Sequence, residues 1–270
     1  MIDLVITAQT NAARYEYTAR PGRLLRHDLV TPRPVPAPEP RLNKFLAVLP
    51  PAEYALLRTS LQPVTLKMGQ TIYNVGDPLD FIYFPETCVA SRVALMEDGA
   101  TVEVGLVGPE SIIGVMSFLG AETARHWTVV EVPGRALRMR ASAFRDLARR
   151  NYQLQKPILD YCRLFFAHVA QRSVCRSRHS IQEQLCTWLM MMQDRAGTAE
   201  LPLTQESIAR RLGVRRAGIT VAANWLKQEG LIDYRRGHIA LLDRKGLEKA
   251  ACECYGVVQT DFQQYMTAAA

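Results

Sequence analysis

The side chains best placed to do chemistry in this sequence are cations. Between Thr204 and Lys245 nine Arg or Lys stand against four Asp or Glu, a local excess of five positive charges in a chain of net +7. Arg215 and Arg216 are adjacent, and Arg235 and Arg236 are adjacent again beside His238. A guanidinium offers a rigid fork of donors that matches phosphate oxygens and the O6/N7 edge of guanine, so this grouping points to a polyanionic partner. The other chemical residue types are dispersed. The five histidines, at 27, 126, 168, 179 and 238, lie in separate segments without an HxH pair, which argues against a metal-dependent β-barrel oxygenase and against an enzyme generally. The six cysteines, at 88, 162, 175, 186, 252 and 254, show no CxxC spacing, and Cys252-Glu-Cys254 is too tight and isolated for a ligand pair. They read as free thiols of a reducing cytoplasm, and neither a metal nor another cofactor is expected.

The elements that must position the arginines follow from the apolar spacing of "LTQESIARRLGVRRAGITVAANWLKQEGLIDYRRGHIALLD", residues 203–243. Thr204 suits a helix N-cap, Ile208 and Leu212 share one face, and Gly213 suits a left-handed stop. A second helix places Ile219, Ala222, Ala223 and Leu226 on its inner face, which turns Arg216, Ala217, Thr220, Val221 and Asn224 outward. Strand alternation across Arg236-Gly237 then predicts a two-stranded wing tipped by Arg235, Arg236 and His238. Helix, glycine turn, helix and basic wing together predict a winged helix-turn-helix, with its second helix in the DNA major groove and wing cations on phosphates.

At 270 residues and 48% hydrophobic, the chain is large enough for two modest domains. Residues 1–40, ending in "TPRPVPAPEP", read as a flexible proline-rich arm. Residues 41–150 open with a short helical pattern and continue as β-rich runs punctuated by glycine at 69, 76, 99, 105, 108 and 114, as in an antiparallel barrel or sandwich. Residues 151–180 predict a long helix in which Leu154, Ile158, Tyr161 and Phe165 repeat at a three–four spacing. Such a stripe suits pairing of two copies; packing against the barrel is the other way to bury it. Residues 181–270 hold a further helix and the winged helix. No secretory signal precedes these segments, and the apolar run "LCTWLMMM" is too short to span a bilayer, so a cytoplasmic chain without membrane contact is expected.

The order of barrel, long helix and winged helix, over about Leu42 to Asp243, resembles the Crp/Fnr transcription regulators, most specifically in "LTQESIARRLGVRRAGITVAANWLKQEGLI". The resemblance implies an α+β fold: an N-terminal β-roll like a cyclic-nucleotide-binding domain, a dimerisation helix and a C-terminal DNA-binding domain. It also implies a cytoplasmic homodimer that binds double-stranded DNA at a pseudo-palindromic operator, with RNA polymerase as a further partner.

Three departures from the family pattern bear on function. Nucleotide-binding members use a Gly-Glu pair for the ribose and an Arg followed by Ser or Thr and Ala for the cyclic phosphate. Here Gly114 matches but Val115 replaces the glutamate, and Arg125 is followed by His126 and Trp127. Valine accepts no hydrogen bond from a ribose hydroxyl, and an unpaired buried hydroxyl costs roughly 1–3 kcal/mol, so this pocket is expected to be degenerate toward cyclic AMP. The N-terminal arm has no cysteine, which disfavours an iron–sulfur cluster. The recognition helix keeps Arg216 at the guanine-reading position, but Ala217 and Val221 stand where the cyclic-AMP-responsive member has a glutamate and a second arginine. Arg215 occupies the usual small cap position and suits a phosphate. A haem- or other small-ligand-sensing roll is the alternative, with His126, Cys88 or Met116 as axial ligands.

Overall fold

The computed structural model describes residues 41–235 and 237–268; the expectations for the arm, with His27, and for Arg236 lie outside the described residues. Two short helices come first, α1 (Lys44–Val48) and α2 (Pro51–Arg58). Pro50 and Pro51 split the single helical pattern, because proline lacks the N–H that would continue α1. Asn43 caps α1 through its Oδ1, and its Nδ2 donates to the Pro85 and Ser111 carbonyls at 2.8 and 3.0 Å, which fixes the helix to the β-rich unit.

Seven strands follow: β1 (Gln62–Leu66), β2 (Thr71–Tyr73), β3 (Phe81–Pro85), β4 (Val89–Leu95), β5 (Thr101–Val107), β6 (Trp127–Val132) and β7 (Gly134–Arg140). They form two antiparallel sheets, ordered β1-β7-β3 and β2-β6-β4-β5. The two sheets share the short turn at Pro133, where β6 of one sheet passes directly into β7 of the other, so they close into a roll. Phe45 stacks on Phe84 at 6.0 Å, and Phe84 meets Phe144 at 6.0 Å, which carries the roll's core out to its flanking helices.

Helix α3 (Ala141–Arg150) leads into the long helix α4 (Tyr152–Arg178), whose N-terminus is capped by Asn151. The seam assigned from spacing is corrected here. Leu154 and Ile158 are completely buried and Tyr161 is 2% exposed, all within one chain, and they pack with Phe84, Ile112 and Phe144 of the roll unit. Phe165 is half-buried beside them. The three–four spacing is a real helix face, but the roll already covers it. The apolar residues left outside are one step round: Leu159 and Phe166 are exposed, with Cys162 and Val169 half-buried between them.

Helix α5 (Ile181–Ala196) starts at a Ser180/Glu183 capping box and ends at left-handed Gly197. Its buried residues, Trp188 and Met190 among them, form the centre of the C-terminal core. Around it pack α6 (Gln205–Leu212), α7 (Arg216–Gln228), α8 (Arg244–Ala250) and a three-stranded sheet ordered β8-β10-β9, from β8 (Glu200–Leu201), β9 (Ile232–Arg235) and β10 (His238–Leu241). The strand alternation predicts the wing pair but not the third strand, β8, which is only two residues long. The last helix, α9 (Cys254–Ala268), packs Tyr255 and Val258 into the C-terminal core and lies along α4, burying Tyr265 in the roll's core cluster.

Candidate nucleic-acid interface and sensor cavity

Helix α7 is held by its inner face. Ile219, Ala222, Ala223 and Leu226 are buried, and Gly218 packs so close to α5 that a Cβ there would lie 2.8 Å from Ile181 Cδ1. The preceding turn is equally constrained. Gly213 has φ +69°, and a Cβ on it would sit 2.9 Å from Val102 of β5, so the helix-turn-helix turn rests on the roll. Thr204 caps α6 in a reciprocal pair with Ser207.

This anchoring leaves Arg215, Arg216, Ala217, Val221 and Asn224 exposed on the outer face of α7, as the spacing predicts. Arg215 occupies the N-cap with extended backbone and no capping hydrogen bond, so its guanidinium is available to a phosphate. Ion pairs of this region join Glu206 to Arg210, and Asp233 to both Lys227 and Arg235. Among the described residues Arg215 and Arg216 have none. Thr220 differs from the expectation. It is half-buried, and its hydroxyl donates to Gln205 Oε1 at 2.8 Å, so it ties α6 to α7. Arg235 and His238 are exposed on the wing, but Asp233 takes the Arg235 Nε at 2.7 Å and offsets part of its charge. Hydrogen bonds from Lys227 and then Arg235 hold the Asp233 carboxyl below the usual carboxylate range, so this offset persists near neutrality.

In the roll, Gly114, Val115, Arg125 and His126 do come together, around a cavity of about 160 Å³. Gly114 has φ +85°, and a Cβ there would strike the Phe81 carbonyl at 2.6 Å. Val115 is buried among Ile82, Phe84 and Ile112, where the family's glutamate would need a polar partner. Sequence reading misses Arg92, which lines the same cavity and lies 4.8 Å over the Phe165 ring. Burial, then Arg92, then Arg125 push the His126 imidazole below its ordinary pKa and favour its neutral form. Of the residues considered as haem ligands, His126 and Met116 line this cavity, while Cys88 is buried in a separate cluster with Leu66 and Val130. A second, apolar cleft of about 320 Å³ opens between Leu119 of the roll and Cys162, Phe166 and Val169 of α4.

The cysteines are not as scattered as their spacing implies. Cys175 and His179 at the end of α4 meet Cys252 and Cys254 at the start of α9, with their four ligand atoms within 4.8 Å of one another. The signal is present as a Cys-x3-His helix face and a Cys-x-Cys pair. Only the fold, with α9 lying along α4, shows that they belong together.

Comparison with known proteins agrees with both halves of this geometry. The model for the Crp-like helix-turn-helix domain matches residues 183–250, and that for the cyclic nucleotide-binding domain matches residues 63–151. A CRP-like cAMP-activated global transcriptional regulator of Mycobacterium tuberculosis is 25% identical over 206 residues, 67% of this chain and 86% of its own. The transcriptional activator protein FnrL of Cereibacter sphaeroides is 22% identical over 187 residues, 65% of this chain and 74% of its own. Among solved structures, FixK2 of Bradyrhizobium japonicum superposes with a TM-score of 0.62 at 17% identity, covering 71% of this chain and 98% of that one. A CRP-family transcriptional regulator of Thermus thermophilus gives 0.61 at 18% identity, covering 70% and 96%. With a cyclic nucleotide-binding domain and a Crp-like helix-turn-helix domain both matched, this chain is a transcriptional regulator of the Crp/Fnr type.

Proposed function

We propose that the chain binds a pseudo-palindromic DNA operator as a homodimer and reads bases through Arg216, with Ala217 and Val221 against thymine methyl groups. The observation that carries this reading is the asymmetry of α7. Its inner face is fixed by core packing while its first exposed turn holds two arginines with no ion-pair partner among the described residues. A guanidinium held there without competing contacts can meet guanine O6 and N7 together. Arg215, Arg235 and His238 serve the phosphates, and Thr220 positions α7 on α6. Pairing uses the outer stripe of α4, from Leu159 and Cys162 to Phe166 and Val169, whose spacing is that of a coiled-coil seam and which borders the open apolar cleft. RNA polymerase enters as partner of the bound dimer on the family resemblance alone. No described helix is long and apolar enough to cross a membrane. A cytoplasmic location is proposed on the DNA-binding role alone.

The roll is proposed not to answer to cyclic AMP or cyclic GMP. Val115 removes the ribose acceptor, and it is buried among apolar side chains that offer no substitute. Selection of bound fragments from a genomic library by the purified chain, without added nucleotide, is expected to recover one two-fold-related sequence. Recovery of no enriched sequence, or of one only when cyclic AMP is added, would contradict the proposal.

A further inference from the structure

Where the long helix ends, the fold assembles a set of donors that the DNA-binding reading does not use. Cys175 and His179 are one helical turn apart on α4, and the turn between α8 and α9 brings Cys252 and Cys254 against them. Cys175 Sγ lies 3.5 Å from Cys252 Sγ, and Cys254 Sγ lies 3.6 Å from His179 Nδ1. Around a tetrahedral zinc, with sulfur at about 2.3 Å and nitrogen at about 2.0–2.1 Å, neighbouring donors stand about 3.5–3.8 Å apart. The Cys175–Cys252 and Cys254–His179 separations are close to these values, and the other pairs need to close by at most about 1 Å. All four atoms lie within 4.8 Å, which suits a single ion rather than a cluster.

The surroundings are built as an outer shell. His179 turns Nδ1 inward, and its Nε2 lies 3.1 Å from the Glu253 carboxylate, the arrangement that fixes the tautomer of a zinc-bound histidine. Gln171 Nε2 donates to Cys254 Sγ at 3.0 Å, and the Thr187 hydroxyl meets Cys252 Sγ at 3.0 Å. Three thiolates, a neutral histidine and Zn²⁺ sum to one negative charge. One turn back along α4, Arg172 is 4% exposed; its terminal nitrogens make no hydrogen bond, and its one ion-pair contact among the described residues is Glu103 at 3.9 Å. A buried guanidinium in that position stabilises an anionic centre.

We infer that Cys175, His179, Cys252 and Cys254 bind one zinc ion as a structural Cys3His site. The three thiols release their protons on binding, and the ion pins α9 to the end of α4, beside the helix-turn-helix. Cys252 and Cys254 lie beyond residue 250, where the match to the helix-turn-helix domain ends, so the site is an addition to that domain.

The test uses the full chain, purified reduced and without chelator. Elemental analysis should find one zinc per chain, and cobalt(II) exchanged for it should show the visible absorption of a tetrahedral thiolate site. Cys252→Ser should lose the metal, Cys186→Ser in the α5 core should keep it, and His179→Cys should keep it with stronger charge-transfer bands. A folded, reduced chain that takes up neither zinc nor cobalt would overturn the inference, as would Cys252→Ser that retains a full equivalent. If Cys252→Ser does not fold, mercurial titration of the wild type decides. Zinc released in step with thiol modification supports the site, and thiols modified with no zinc released refute it. A Cys175–Cys252 disulfide in the protein as purified under reducing conditions would also refute it.

Discussion

At the scale of single residues, Arg216 and Arg235 carry the same charge but are expected to do different work. Arg216 has no competing partner and stands at the start of α7, so Arg216→Ala should cost roughly 1–3 kcal/mol on the operator and little on random DNA. Arg235 sits on the wing with Asp233, so Arg235→Ala should weaken both duplexes alike and lower the salt slope by about 0.9 if its one phosphate contact is lost. Titrations against operator and scrambled duplex at several salt concentrations separate the two. An unchanged ratio between duplexes for Arg216→Ala would show that another residue reads the base. His168 gives a different kind of prediction. Burial, then the nearby Arg195, hold its imidazole down to about 4, with Glu110 and Asp261 opposing. Unfolded, it titrates near 6.5, so between these values the unfolded chain binds more protons. Stability contributed by neutral His168 is therefore present above about pH 6.5 and lost as pH falls toward 4, by up to on the order of 3 kcal/mol. Denaturant melts at pH 7.5 and 5 should show this loss, and His168→Gln should reduce it.

At the scale of elements, α4 shows how far spacing alone can mislead. Leu154, Ile158 and Tyr161 have the period of a pairing seam, yet they are buried against the roll of their own chain. A period identifies a buried face without identifying what buries it. The exposed stripe, with Phe166 at 75% exposure, is the surface proposed for a second copy. Phe166→Glu should therefore give a folded monomer whose operator affinity falls at least tenfold, measured by sedimentation and DNA titration. A Phe166→Glu dimer of wild-type strength would place the interface elsewhere. The helix-turn-helix was legible because its signals are local: Thr204 as cap, Gly213 as left-handed stop, and an apolar face repeating within one helix. Arg92 in the cavity and the Cys175–Cys252 approach were not, since each depends on elements that meet only in the fold. Thr220 was half legible. Spacing turns it outward, but it is half-buried because its hydroxyl's partner, Gln205, lies on another helix.

At the scale of the whole chain, three carboxylates of the roll unit face donors on the C-terminal helices. Glu103 on β5 is 1% exposed; it accepts from Ser91 Oγ at 2.7 Å and from Trp188 Nε1 of α5 at 3.1 Å, and Arg172 of α4 lies 3.9 Å away. Glu110 takes Arg195 Nε of α5 at 2.7 Å, with both side chains 7% exposed. Glu131 on β6 is 2.5 Å from Arg211 of α6. Such pairs are costly to desolvate and costlier to break, because a partner left alone is an uncompensated buried charge. Their arrangement ties the C-terminal helices to the roll. The wild-type chain should accordingly unfold its roll and winged helix in one calorimetric transition. Glu110→Ala should cost about 3–5 kcal/mol and split that transition, while Glu110→Leu combined with Arg195→Met should recover most of the loss by replacing the pair with apolar contact. Two well-separated transitions in the wild type would show that the buried pairs do not couple the units. A double substitution no better than the single one would show that packing, rather than the orphaned Arg195 charge, accounts for the loss.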